Sequence, residues 1–217
     1  MTKKQAGIPA RAGVSVEAVV RAALGALDEG GLEAVSMRSI ADRLDVRMNT
    51  VLWHTKSKAR LHELMADAIL AEMDSGELPD AWDDRVREVA HRARRAMLAH
   101  RDGARLVTGT YAAEPATLRF ADQLVQALLD GGVPEREAAW ACWTFVYFLL
   151  GLVQEEQAFH EQAGRLDPEL PVAAYPALTR VVEHLTADAA GYEERFDFGL
   201  SLLLDSLRAR AGEGRAH

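Results

Sequence analysis

Apolar residues recur three and four positions apart through almost the whole chain, and no stretch alternates with period two long enough to form a strand. That pattern restricts the fold to helices packed on helices, an all-α class. Ser15 caps a predicted helix running to about Glu29, with Val19, Val20, Ala23 and Leu27 on one face, and Gly30-Gly31 stops it. Ser36 caps a short helix, Met37 to Leu44, that buries Ile40 and Leu44. After a tight break at Asp45-Val46, a third helix covers Met48 to His54, and Ser57 caps a longer one from Lys58 to about Met73. Gly76 and Pro79 mark Asp74 to Ala81 as the candidate hinge between domains. Longer helices are expected beyond it: Trp82 to His100, a short Ala104 to Thr110, Pro115 to Asp130, and Pro134 to about Gln162. A proline-rich loop from Gly164 to Pro176 precedes helices at Ala177 to Asp188 and Tyr192 to Ala211.

Composition narrows the classes of function. At 217 residues the chain can bury a sizeable core. Cys142 is its one cysteine, so no disulfide within the chain is expected and a reducing, cytoplasmic setting fits. The first residues are basic without an apolar stretch behind them, so no signal peptide is expected. The apolar run Ala138 to Val153 is shorter than the roughly 20 residues of a membrane span, so no membrane partner is expected. There is no G-x-S-x-G, P-loop, H-E-x-x-H or cysteine-rich metal spacing, which argues against an enzyme and against a bound cofactor. The net charge of −8 is unevenly spread: residues 1–60 carry +4 and the remainder −12. A basic segment on an acidic body suits phosphate binding at one end, although an imbalance of that size also arises by chance.

The stretch Ser36 to Lys58, SMRSIADRLDVRMNTVLWHTKSK, describes two short helices joined by a tight turn, the form of a helix-turn-helix. Ala41 is small where the helices must approach, and Val46 plugs the turn into the core. Arg47, Met48, Asn49, Thr50, Leu52 and His54 are read as facing outward. Asn can bond adenine with both amide groups, and Thr and Met methyls can meet thymine methyls. Arg38, Lys56 and Lys58 are placed to reach phosphates. Short capped helix pairs are also common in helical proteins that never meet DNA, so spacing alone leaves both readings open.

This segment resembles the TetR family of regulators, whose hallmarks match Ala41, the triplet Leu52-Trp53-His54 and Lys58. Leu52 departs from the family's usual aromatic residue and removes a phosphate-contacting hydroxyl. Trp53 is read as core. The stretches AHRDGARLVTGT (Ala99 to Thr110), FLLGLVQEEQ (Phe148 to Gln157) and FDFGLSLLLDSL (Phe196 to Leu207) resemble the tetracycline-repressor branch of the family. The resemblance implies three parts: a helix-turn-helix DNA-binding domain over 1–57, a linking helix over 58–73, and a ligand-binding and dimerisation domain over 74–217. It also implies double-stranded operator DNA and a small organic effector as partners, and a homodimer. The bundle helices would be Pro134 to Gln162 and Tyr192 to Ala211, with Trp140, Phe148, Gly151, Leu152, Leu200, Leu203 and Leu204 at the interface.

Where that branch coordinates a magnesium chelate through an imidazole, this chain has Val107. Its carboxylate counterpart is kept as Glu155, and the basic residue and proline that follow are Tyr111 and Ala112. Valine cannot ligate magnesium, so a different effector is expected. Trp143, Thr144, Tyr147 and Glu155 on one helix, with Val107, Thr110, Tyr111 and Gln123 opposite, could line an aromatic pocket. Trp143 and Tyr147 at this spacing read equally as plain core, and Glu155-Glu156 as a solvated helix end. The Glu156–His160 pair offers too few ligands for a metal site, and Cys142 is read as buried and inert. Repression with release by an inducer is the expected function. An activator, or a helical ligand binder that no longer reads DNA, is the alternative.

Overall fold

The computed structural model describes residues 14–110, 113–162, 174–185 and 189–213. Among them the chain is helical throughout, with α1 Val16–Gly30, α2 Met37–Arg43, α3 Met48–Thr55 and α4 Lys58–Ala71 forming the amino-terminal part. The rest comprises α5 Trp82–Leu98, α6 Gly103–Thr108, α7 Pro115–Asp130, α8 Glu135–Gln162, α9 Pro176–Thr179, α10 Val182–Leu185 and α11 Ala189–Glu213. The helix expected at Ala177 to Asp188 is therefore two single turns, and much of the expected proline-rich loop lies outside the described residues.

The predicted starts are where hydroxyls satisfy the first free amides of a helix. Ser15 Oγ accepts from Ala18 N–H at 3.2 Å, Ser57 Oγ accepts from Arg60 N–H at 3.0 Å, and Ser36 and Ser39 cap each other reciprocally. Gly31 follows α1 with φ +73°, a conformation that favours glycine. Val19, Ala23 and Leu27 of α1 bury against Ile40 of α2, Val51 of α3, and Leu61 and Met65 of α4. Leu44, expected in this core, is only half-buried against it, as is Val46.

The apolar face of α4 continues through Ile69 and Leu70 into the body, so one core runs through both parts. The segment expected as a hinge is tied down. The Arg92 guanidinium donates to the carbonyls of Asp74 (2.8 Å), Gly76 (2.8 Å) and Glu77 (2.9 Å) and to Glu88 (2.7 Å).

Helix α8 is longer than its apolar run, and Glu135–Phe159 meets the length and composition of a membrane-spanning helix. Its burial is one-sided, as in a helix packed within a protein. Ala138, Cys142, Phe145, Leu149 and Val153 face the core, and α11 sends Phe196, Leu200 and Leu204 against them. Phe196 is fully buried, stacked on Phe148 (ring centroids 5.6 Å apart) and edge-on to His91 (5.0 Å).

At the start of α6 the chain turns sharply through Asp102 (φ +54°), and a Cβ on Gly103 would lie 2.3 Å from the Met97 carbonyl oxygen. Gly103→Ala is expected to lower stability by about 1–3 kcal/mol, the cost of overpacking against backbone that cannot rotate away. A thermal melt unchanged by this substitution would show that the turn relaxes freely.

Candidate nucleic-acid interface and the faces of the body

The turn between α2 and α3 is closed by backbone bonds, Leu44 N–H to Ile40 O (3.1 Å) and Val46 N–H to Ala41 O (3.0 Å). Asp45 sits between them at φ +50°. Ala41 is buried at the helix contact, as its size requires.

Val51 and Thr55, four residues apart, are the buried face of α3, and the Thr55 hydroxyl donates to Val51 O at 3.0 Å. A residue two positions from both is carried about 200° round the helix, to the opposite side. That residue is Trp53, which is 69% exposed, so the expectation that it is core is wrong. Leu52 and His54, about 100° to either side, are half-buried rather than fully outward. Arg47, Met48 and Asn49 are exposed and Thr50 is half-buried. Trp53 carries the Lys56 ammonium over its ring at 5.2 Å and meets the His54 ring edge-on at 4.7 Å.

Around this face Arg38, Lys56 and Lys58 are exposed. Among the described residues no carboxylate pairs with them or with Arg47. Arg43 and Arg60, by contrast, are held by Glu29 and by Glu63 with Glu114. On α4, burial and then the nearby Lys58 charge hold the His62 imidazole below its ordinary pKa, so it is neutral at neutral pH.

Beside the apolar contact that α4 carries into the body, the joint between the two parts has polar links. The His100 ring lies between the carboxylates of Asp28 from α1 (3.0 Å) and Glu72 at the end of α4 (3.1 Å). Asp102 accepts from the Leu32 N–H at 2.6 Å, and Arg105 pairs with Glu33 at 3.1 Å.

In the body the expected pocket residues separate. Gln123 of α7 is half-buried and lines a cleft of about 400 Å³ between α7, the end of α4 and the segment 74–78. Val107 packs half-buried against the core, and the Thr110 hydroxyl donates to its carbonyl at 2.9 Å. Tyr111 lies outside the described residues. Trp143, Thr144, Tyr147 and Glu155 are exposed on α8 and do not line Gln123's cleft. Trp143 and Tyr147 are thus neither core nor part of that cleft. They stack on each other (5.6 Å, 26°) in the open. Glu156 is not at a solvated helix end either. It is buried in a two-point ion pair with Arg94 (2.7 and 3.0 Å). Burial pushes the Cys142 thiol up, which keeps it protonated, as expected of an inert cysteine.

The expected interface residues also divide. Trp140 is 57% exposed, and Gly151 has open space around it. Phe148, Leu152 and Leu203 are half-buried. Leu200 and Leu204 are completely buried inside the chain itself and present nothing to a partner. Among the described residues of α11 the large apolar side chains that stand exposed are Phe198 (67%) and Leu202 (57%), which sequence reading missed. Their signal was phase: they stand two positions from Phe196, Leu200 and Leu204, hence on the opposite side.

The family model "Tetracyclin repressor-like, C-terminal domain" matches residues 75–211. The tetracycline repressor protein class A from transposon 1721 of Escherichia coli is 34% identical, over 88% of this chain and 89% of its own. Among solved structures, ActR of Streptomyces coelicolor in complex with actinorhodin superposes with a TM-score of 0.81 at 29% identity, covering 94% of this chain and 99% of that one. BioQ with its natural double-stranded DNA operator gives a TM-score of 0.69 at 28% identity, covering 90% and 99%. With a helix-turn-helix whose second helix is exposed on one face, joined to a helical body, and with relatives that match over most of its length, this chain belongs to the TetR family of transcriptional regulators.

Proposed function

We propose that the protein is a cytoplasmic repressor that binds operator DNA as a homodimer and leaves it when a small organic effector binds the body. The observation that carries this reading is the face of α3. Arg47, Met48, Asn49 and Trp53 stand exposed there, beside Arg38, Lys56 and Lys58, which no carboxylate among the described residues neutralises. In the major groove, Asn49 and Thr50 would read base edges while the cations and Trp53 meet the backbone. One such helix cannot hold a specific site by itself. The exposed aromatic face of α8 and α11 supplies the two-fold contact that sets two helices about one DNA turn apart.

The effector in this reading is not a magnesium chelate, because the position where the family resemblance implies a metal-binding imidazole carries Val107, an apolar side chain packed against the core. Effector binding acts by population shift. α4 carries the DNA-binding unit and ends in the body, where it packs on α6 and α7. A ligand preferring one position of α4 changes the spacing of the two reading helices. The hydrogen-bonded joint at His100 and Asp102 can rearrange at modest cost compared with a packed core.

Lys58→Ala is expected to weaken binding to all DNA and to reduce the slope of log affinity against log salt by about two per dimer, one per lost phosphate contact. Asn49→Ala is expected to change sequence preference and leave that slope unaltered. Gel shifts over a salt series, using DNA from the gene's own upstream region and a competitor, measure both. If neither substitution changes binding, α3 is not the reading helix.

A further inference from the structure

We infer that the effector is a metal-free organic anion with an apolar ring body, seated in the cleft between α4, α7 and the segment 74–78 with Arg119 as its counter-charge. The inference rests on the ligand-responsive reading above and names the chemistry that reading leaves open. The cleft, about 400 Å³, is of the size that encloses a small organic molecule. Leu70 from the last turn of α4, Met73 just beyond its end, Leu78, and Ala116 and Phe120 from α7 supply its apolar surface.

Three charged residues reach the same space, and two of them are already committed. Arg92 is buried and spends its guanidinium on Glu88 and on the carbonyls of Asp74, Gly76 and Glu77. Asp74 turns a carboxylate oxygen to the Gly76 N–H at 2.9 Å. Arg119 lines the cleft, is exposed, and has no hydrogen-bonding or ionic partner among the described residues. A cation without a partner among the described residues, beside an apolar surface, complements a carboxylate, sulfonate or phenolate on a ring system, because only such a ligand uses both halves of the site. Gln123 adds an amide able to donate and accept at the same wall. A ligand there touches Leu70, on the helix whose other end begins at Lys58, and Met73 just past its end, so occupancy bears directly on the placement of the DNA-binding unit.

Two probes that differ only in charge test this on the full-length protein: 8-anilinonaphthalene-1-sulfonate and the uncharged N-phenyl-1-naphthylamine, titrated by fluorescence. The sulfonate is expected to bind more tightly than the amine. Arg119→Ala is expected to weaken the sulfonate about three- to tenfold and leave the amine unchanged, with Arg119→Lys recovering part of the loss. Met73→Trp, which fills the cleft, is expected to weaken both probes, and thermal melts confirm that each variant is folded. Equal binding of the two probes, or sulfonate binding indifferent to Arg119→Ala or to Met73→Trp, would overturn the inference. Operator binding by the same variants is scored separately. Its loss in the unaltered protein would count against the repressor reading, and an anion bound through Arg119 without release of operator would count against release alone.

Discussion

Glu156→Ala is expected to lower the stability of the protein by about 3–5 kcal/mol, the range measured when one partner of a buried ion pair is removed. Both side chains are nearly inaccessible, at 8% for Arg94 and 5% for Glu156, and the guanidinium meets the carboxylate at two points. Removing the carboxylate leaves a guanidinium in the core between α5 and α8 with no counter-charge. Its neighbour there is the Phe196 ring, 5.5 Å away, which offsets only a small part of that cost. The pair itself need not be a large source of stability, because burying two charges costs about as much as their attraction returns. Joint replacement, Arg94→Met with Glu156→Leu, is therefore expected to recover most of what Glu156→Ala loses. Denaturant melts of the single and double variants decide the matter. A single variant as stable as the parent would mean that water reaches Arg94 once the carboxylate is gone.

This pair marks where reading from sequence reached its limit. The starts of α1, α2 and α4 are legible because each is announced by a serine whose hydroxyl accepts from the backbone three residues on. The turn of the helix-turn-helix is legible from Ala41 and Val46, which local geometry fixes, although α3 itself begins at Arg47 without a side-chain cap. The rotation of each helix about its own axis is not. In α3, α8 and α11 nearly every turn is apolar on more than one side, so composition does not say which stripe meets the chain's own core. Trp53, Trp143 and Tyr147 were read as core or as pocket and stand exposed, while Leu200 and Leu204 were read as interface and lie buried. Glu156 follows Glu155 in the sequence and looks like its equal there, yet a step of 100° puts one in solvent and the other against Arg94. Partners distant in sequence fix these phases, and no local pattern encodes them.

Phase also decides how the proposed homodimer should be broken. Leu202→Glu is expected to convert the protein to a folded monomer and to lower operator affinity by at least about 100-fold, since each half-site must then be held without the gain of linkage. Leu202 is 57% exposed in the single chain and stands on the same side of α11 as Phe198, beyond the buried row of Phe196, Leu200 and Leu204. A carboxylate there costs the isolated chain little, because it is already in water. In a two-fold interface the substitution occurs twice and places two charges in an apolar contact. Tyr147→Glu on the α8 part of the same surface is expected to act alike. Leu200→Ala is the contrasting case. It removes a completely buried side chain and is expected to lower the stability of each chain by about 2–5 kcal/mol, without selectively dissociating the dimer at temperatures where the fold survives. Sedimentation velocity gives the mass, circular dichroism the helix content, and gel shift the affinity. A Leu202→Glu protein that still sediments as a dimer would place the two-fold contact on another face and remove the aromatic stripe of α8 from the account of DNA binding.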